Sequence, residues 1–167
     1  MKRKEVKRIS HTQEVNILSD ADKIFSLACP VEELKWIEGW GDHYEMIFTE
    51  SGVNEKNCIF TEKMSGPVLV DKPVMTNWIT TIHDPVNHLI EFLLVVGDKA
   101  VINFQFDIRK TEENASLCRW TLILTALDEE TNHIPEETIK ERMQVVTGTL
   151  SMMLKHYCET GEMMRAG

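Results

Sequence analysis

Positive charge is scarce in this chain. Lys and Arg number 18 against 27 Asp and Glu, for a net charge of −9. A surface of that sign repels phosphate backbones, which argues against a nucleic-acid partner. The one basic cluster, Lys2, Arg3 and Lys4 with Lys7 and Arg8 close behind, leads into Ile9-Ser10-His11-Thr12-Gln13-Glu14. That stretch is too polar for the apolar segment of a signal peptide. Nothing approaches the roughly 18 consecutive apolar residues of a membrane span, so a cytoplasmic protein is expected. Cysteine is sparse too: Cys29, Cys58, Cys118 and Cys158 stand far apart, with no Cys-x-x-Cys pair and no Cys/His spacing suited to zinc. They read as reduced core thiols.

Glycine (8) and proline (5) are few, which excludes long linkers and low-complexity tracts. With 43% hydrophobic residues, a chain of 167 residues can bury a core without disulfide or metal staples, and a single domain over residues 1–167 is expected. Signals for enzyme chemistry are also missing. There is no Gly-x-Ser-x-Gly, and Gly39-Trp40-Gly41 lacks the third glycine and the strand-to-helix setting of a dinucleotide fingerprint. His43, His83, His88 and His133 lie in or beside turns without fixed spacing, so neither a metal nor another cofactor is implied.

What is present is periodicity. Val6 to Ile17 alternates as a strand, with Ile9, His11, Gln13, Val15 and Ile17 on one face. Ser19-Asp20-Ala21-Asp22 then caps a short helix through Ile24, Phe25 and Leu27, and Pro30 ends it and opens a second through Val31 to Trp36. Gly39 and Gly41 mark a turn. Strands are expected over Tyr44–Thr49, Asn57–Lys63, Val74–Ile82, His88–Val96, Ala100–Ile108 and Leu117–Leu127, with a connection through Gly66-Pro67 and a tight turn at Gly97-Asp98. The last two strands each carry one oily and one wet face, as in an antiparallel sheet buried on one side. Pro135 then opens a helix reaching about Glu159, with Gly161 as its stop and Ile139, Met143, Val146, Leu150, Met153 and Tyr157 as its apolar stripe. Only that helix is long enough to cover the sheet, so the class is α+β.

This order of elements resembles the START/SRPBCC superfamily, the helix-grip or birch-pollen-allergen-like fold, over essentially the whole chain. Cys29-Pro30-Val31-Glu32-Glu33-Leu34-Lys35-Trp36-Ile37-Glu38-Gly39-Trp40 resembles the small-helix segment of a bacterial, polyketide-cyclase-like subgroup. Thr76–Pro85 and His156–Gly161 are similar to its fourth strand and the end of its long helix. The resemblance implies a seven-stranded curved antiparallel sheet wrapped around the long C-terminal helix, with two short helices after strand one. It also implies a cavity between sheet and helix for a lipid, steroid or polyketide-like molecule. It carries no general catalytic motif.

Candidate cavity-lining residues are His11, Gln13, Trp78, Phe104, Trp120, Met143, Val146 and Leu150. An imidazole at His11 or an amide at Gln13 can orient a ligand or move a proton, or else lie solvated at the rim. Trp36, Trp40 and Trp78 can stack on a planar guest or simply pack the core, and Met143, Met152 and Met153 offer either a plastic wall or core filler. Arg119, Asn103, Gln105 and Thr121 fall on the outer face. Three functions follow: a carrier of a small apolar molecule, an enzyme of polyketide-cyclase type, or a chaperone-activator-like interaction module. A homodimer is expected if the outer face around Ile123 is covered.

Overall fold

The computed structural model describes residues 5–63 and 69–167. The basic residues Lys2, Arg3 and Lys4 and the Gly66-Pro67 connection lie outside the described residues. The chain runs β1 (Arg8–Ile17), α1 (Ala21–Leu27), a 3₁₀ turn (Glu32–Lys35), α2 (Trp40–His43), β2 (Tyr44–Phe48), β3 (Ile59–Lys63), β4 (Met75–Asp84), β5 (Leu89–Val96), β6 (Ala100–Glu112), β7 (Ala115–Ala126), α3 (Glu129–His133) and α4 (Glu136–Thr160). The strands form one antiparallel sheet in the order β1-β7-β6-β5-β4-β3-β2. This is the helix-grip arrangement, of α+β class.

Strict alternation places every second residue of β5, of β6 as far as Ile108 and of β7 in the core, including Phe92, Leu94, Phe104, Phe106, Trp120 and Leu122. The ladder slips between Thr80 and Ile82 on β4 and between Met46 and Phe48 on β2. Such bulges bend and twist a strand, which curls this side of the sheet toward the helix. Buried Asn54 ties the β2–β3 loop down: its Oδ1 accepts from Thr80 Oγ1 at 2.7 Å, and its backbone N–H donates to Cys29 Sγ at 3.2 Å. All four cysteines are unpaired and buried. Burial pushes the Cys118 thiol up to about 12.

The long helix differs from expectation in which line of residues it buries. Its buried side chains are Ile139, Met143, Thr147, Ser151, Leu154 and Cys158, whereas Val146, Leu150, Met153 and Tyr157 are only partly buried. β1 is the strand that α4 approaches most closely, and the small Thr147 and Ser151 permit that approach. Successive helical residues point about 100° apart, so Val146 and Leu150 turn away from the buried line. Further ties hold helix to strand: Lys155 Nζ donates to Asn16 O at 2.9 Å, and Glu159 Oε1 accepts from Leu18 N–H at 3.0 Å. Gly161, at φ 77°, closes the helix by donating its N–H to Tyr157 O at 2.8 Å. Among the described residues, no helix is long and apolar enough to cross a membrane.

Candidate functional site

Because α4 settles against β1, the concave face of the remaining sheet is left incompletely covered. There a partly open cavity of about 340 Å³ lies between sheet and helix. Its floor is aromatic and aliphatic: Trp78 from β4, Phe92 and Leu94 from β5, Phe104 and Phe106 from β6, Trp120 and Leu122 from β7. Val146, Leu150 and Met153 of α4 form the opposite wall, and Trp36 and Trp40, from the segment between α1 and β2, close one end. The rings touch in a row across the strands, with centroids 5.3 Å apart for Phe60 and Trp78, 5.7 Å for Trp78 and Phe104, and 5.6 Å for Phe104 and Trp120. Contacts of this spacing hold flat faces and edges in fixed positions.

Of the eight residues chosen from the sequence, Trp78, Phe104, Trp120, Val146 and Leu150 meet at this cavity, and His11, Gln13 and Met143 do not line it. His11 and Gln13 do share the inward face of β1, opposite Leu122 and Trp120. That strand lies beneath α4, so the helix and not the cavity covers them. Both are half-buried rather than solvated. Met143 belongs to the buried line of α4 and is fully enclosed. Asn103, Gln105, Arg119 and Thr121 alternate with the buried residues of their strands, on the outer face, where Gln105 Nε2 donates to Glu91 Oε2 at 2.7 Å and Arg119 Nε to Glu14 Oε1 at 2.8 Å.

The cavity also holds polar groups that sequence reasoning missed: Glu33 from the 3₁₀ turn, His43 from α2 and Glu62 from β3. Burial pushes the Glu33 carboxyl up to about 8, and the neighbouring charge of Glu62 adds to the shift. Glu62 is also raised by burial, against opposing contributions from its hydrogen bond with Trp78 and from His43. Two carboxyls in one apolar chamber compete for ionisation, and the one with fewer donors holds its proton. Glu62 had a signal, since it shares the parity of Phe60, which is an inward position of β3. Glu33 had none, because the 3₁₀ turn that aims it has no apolar period.

The indole N–H groups complete the picture. Trp36 Nε1 donates to Leu27 O at 2.9 Å, Trp40 Nε1 to Pro30 O at 2.8 Å and Trp78 Nε1 to Glu62 Oε2 at 3.0 Å. Trp120 is 4% exposed, and its Nε1 has no partner among the described residues. A buried N–H left so is costly unless something else accepts from it.

No family model matches the sequence, and no curated protein matches it significantly. Solved structures do resemble the fold. A START superfamily protein from Mycobacterium smegmatis superposes with a TM-score of 0.65 at 15% identity, covering 90% of this chain and 97% of the other. Norcoclaurine synthase from Thalictrum flavum gives 0.69 at 10% identity, covering 95% and 99%. The Zhui aromatase/cyclase from Streptomyces sp. R1128 gives 0.60 at 8% identity, covering 96% and 100%. At such identities the likeness is one of fold, that of the START and birch-pollen-allergen-like proteins.

Proposed function

With a START-type helix-grip fold as premise, we propose that residues 1–167 act as one cytoplasmic unit that binds and carries a small hydrophobic molecule between sheet and helix. The observation that carries this reading is the cavity itself, whose volume and apolar, aromatic lining suit a small ligand. An interaction module would need a filled core instead. The ligand is of lipid, steroid or polyketide-like character, and four reduced thiols suit a reducing compartment. Self-association through the outer face around Ile123 is a further part of the proposal, checked by sedimentation.

A second reading, an enzyme of polyketide-cyclase type, draws on Glu33 and Glu62. Convergent titratable groups with raised pKa values in a cleft are what proton-transfer chemistry uses, and Glu33 near 8 can give up a proton at neutral pH. Both readings require an occupied cavity. The test is titration with N-phenyl-1-naphthylamine, a neutral apolar fluorophore, into the parent protein and Leu150→Trp. One-to-one binding with energy transfer from tryptophan is expected for the parent, and its loss in the variant. Unchanged binding in a folded Leu150→Trp would contradict the cavity as the site.

A further inference from the structure

Acids dominate the ionisable groups of the cavity. Its lining carries Glu33, Glu38, Glu62 and His43, and among the described residues no Lys or Arg reaches it. Glu38 is engaged, since Arg165 Nη1 donates to its Oε1 at 3.4 Å and the Ala166 N–H to its Oε2 at 2.9 Å. Glu62 is half engaged: Trp78 Nε1 donates to its Oε2 at 3.0 Å, which holds the carboxyl against the aromatic floor and leaves Oε1 without a donor among the described residues. Glu33 has no side-chain donor among the described residues, and neither of its oxygens is sealed off. The residue is only half-buried although its carboxyl lies deep within the protein, so the surface it keeps is wall of the cavity. Two features give the missing donor a positive charge. The charge of Glu62 works against ionisation of Glu33, a repulsion that a neutral donor leaves in place and a cation offsets. The neighbouring walls are aromatic faces, Trp78 and Trp40, the latter stacked on Tyr44 at 5.4 Å, and such faces attract a cation.

We propose that the cavity selects an organic amine in its protonated form, an otherwise apolar molecule whose body lies on the aromatic floor and whose ammonium group is received by Glu33 and Glu62. This inference rests on the ligand-binding reading above and adds the charge of the guest to it. An ammonium has donors for both carboxyls at once, and hydrogen bonds between ionised partners are the strong ones, more so where little water competes. The net charge of −9 draws cations toward the protein and turns anions away.

The test compares three naphthalenes of one shape on the full chain by calorimetry: 2-naphthylmethylamine, 2-naphthalenemethanol and 2-naphthoate. The amine is expected to bind about tenfold tighter than the alcohol, and the carboxylate weakest. At pH 7 the unliganded Glu33, pushed up to about 8, holds its proton, and a cation beside it favours the ionised form. Amine binding should therefore release about half a proton, read from the heats in phosphate and in MOPS, and tighten about fivefold from pH 6 to pH 8. His43, whose Nδ1 donates to Lys63 O at 3.1 Å, also faces this end and repels a cation when protonated. Tyr44, pushed up by burial and then by Cys29, Cys58 and Glu33, stays neutral over this range, and α4 presents only Val145, Val146, Thr149, Leu150 and Met153. Variants tell Glu33 from His43: the pH dependence should survive in His43→Gln and vanish in Glu33→Gln, together with most of the amine's advantage over the alcohol. The reverse pattern, or amine binding without proton release in the parent protein, overturns the proposal. Amine binding that persists in a folded Leu150→Trp would place the cation outside the cavity and overturn it too. Equal binding of amine and alcohol, or tighter binding of the carboxylate, would sink the charge preference and leave the ligand-binding reading intact, whereas no binding by any of the three would remove both.

Discussion

At Glu33 burial and a neighbouring carboxylate push in the same direction. Its carboxyl rises from an ordinary 4.5 to about 8 because the cavity strips it of water and Glu62 stands nearby. The folded state thus holds a proton that the unfolded chain releases. It follows that stability falls as pH rises from about 4.5 to about 8 and then levels, with Glu62 acting in the same direction. Glu33→Gln should flatten that slope and gain more over the parent at pH 8 than at pH 5, read as melting temperature across the series. An equal effect at both pH values would mean that Glu33 titrates normally. Residues such as Trp78, Phe104 and Trp120 were legible because strand parity fixes the face on which a side chain stands. His11 and Gln13 satisfied the same parity, yet a helix lying over their strand decided what they touch, and no local pattern carries that information.

The two edges of α4 have different tasks. One buries Ile139, Met143, Thr147, Ser151 and Leu154, and the other shows Val146, Leu150 and Met153 to the cavity. The length and the glycine stop of this helix could be read from its sequence. The choice of line could not, because the apolar stripe lies on one side of the buried residues and two of those, Thr147 and Ser151, are polar. Their small size matters more than their polarity, since Thr147 returns its hydroxyl to Met143 O at 2.9 Å. Thr147→Leu should therefore cost about 1–3 kcal/mol by overpacking the approach to β1, while Met152→Leu, on the exposed side, should stay within about 0.5 kcal/mol. Chemical denaturation of both variants checks this, and equal costs would contradict the placement of the helix. The short α3 was also missed. Its signal was Asp128, whose Oδ1 accepts from Thr131 N–H at 2.9 Å as an N-cap, and whose other oxygen is paired with Lys99 Nζ at 2.6 Å beside the Gly97-Asp98 turn.

For the molecule as a whole, a closed core has been given up for a chamber. A helix of 25 residues lies along one edge of the sheet instead of across its middle, and the aromatic row from Trp78 to Trp120 is left lining a cavity. A guest that fills this space binds the folded state alone, so it should raise the melting temperature, by the equivalent of about 2.7 kcal/mol at a hundredfold excess over Kd. The most direct test of the central claim is native mass spectrometry of freshly purified protein, followed by denaturation and analysis of what is released. One small apolar molecule per chain is expected, absent from Leu150→Trp. A clean unliganded mass, with no uptake of lipid-, steroid- or polyketide-like compounds on screening, would contradict it.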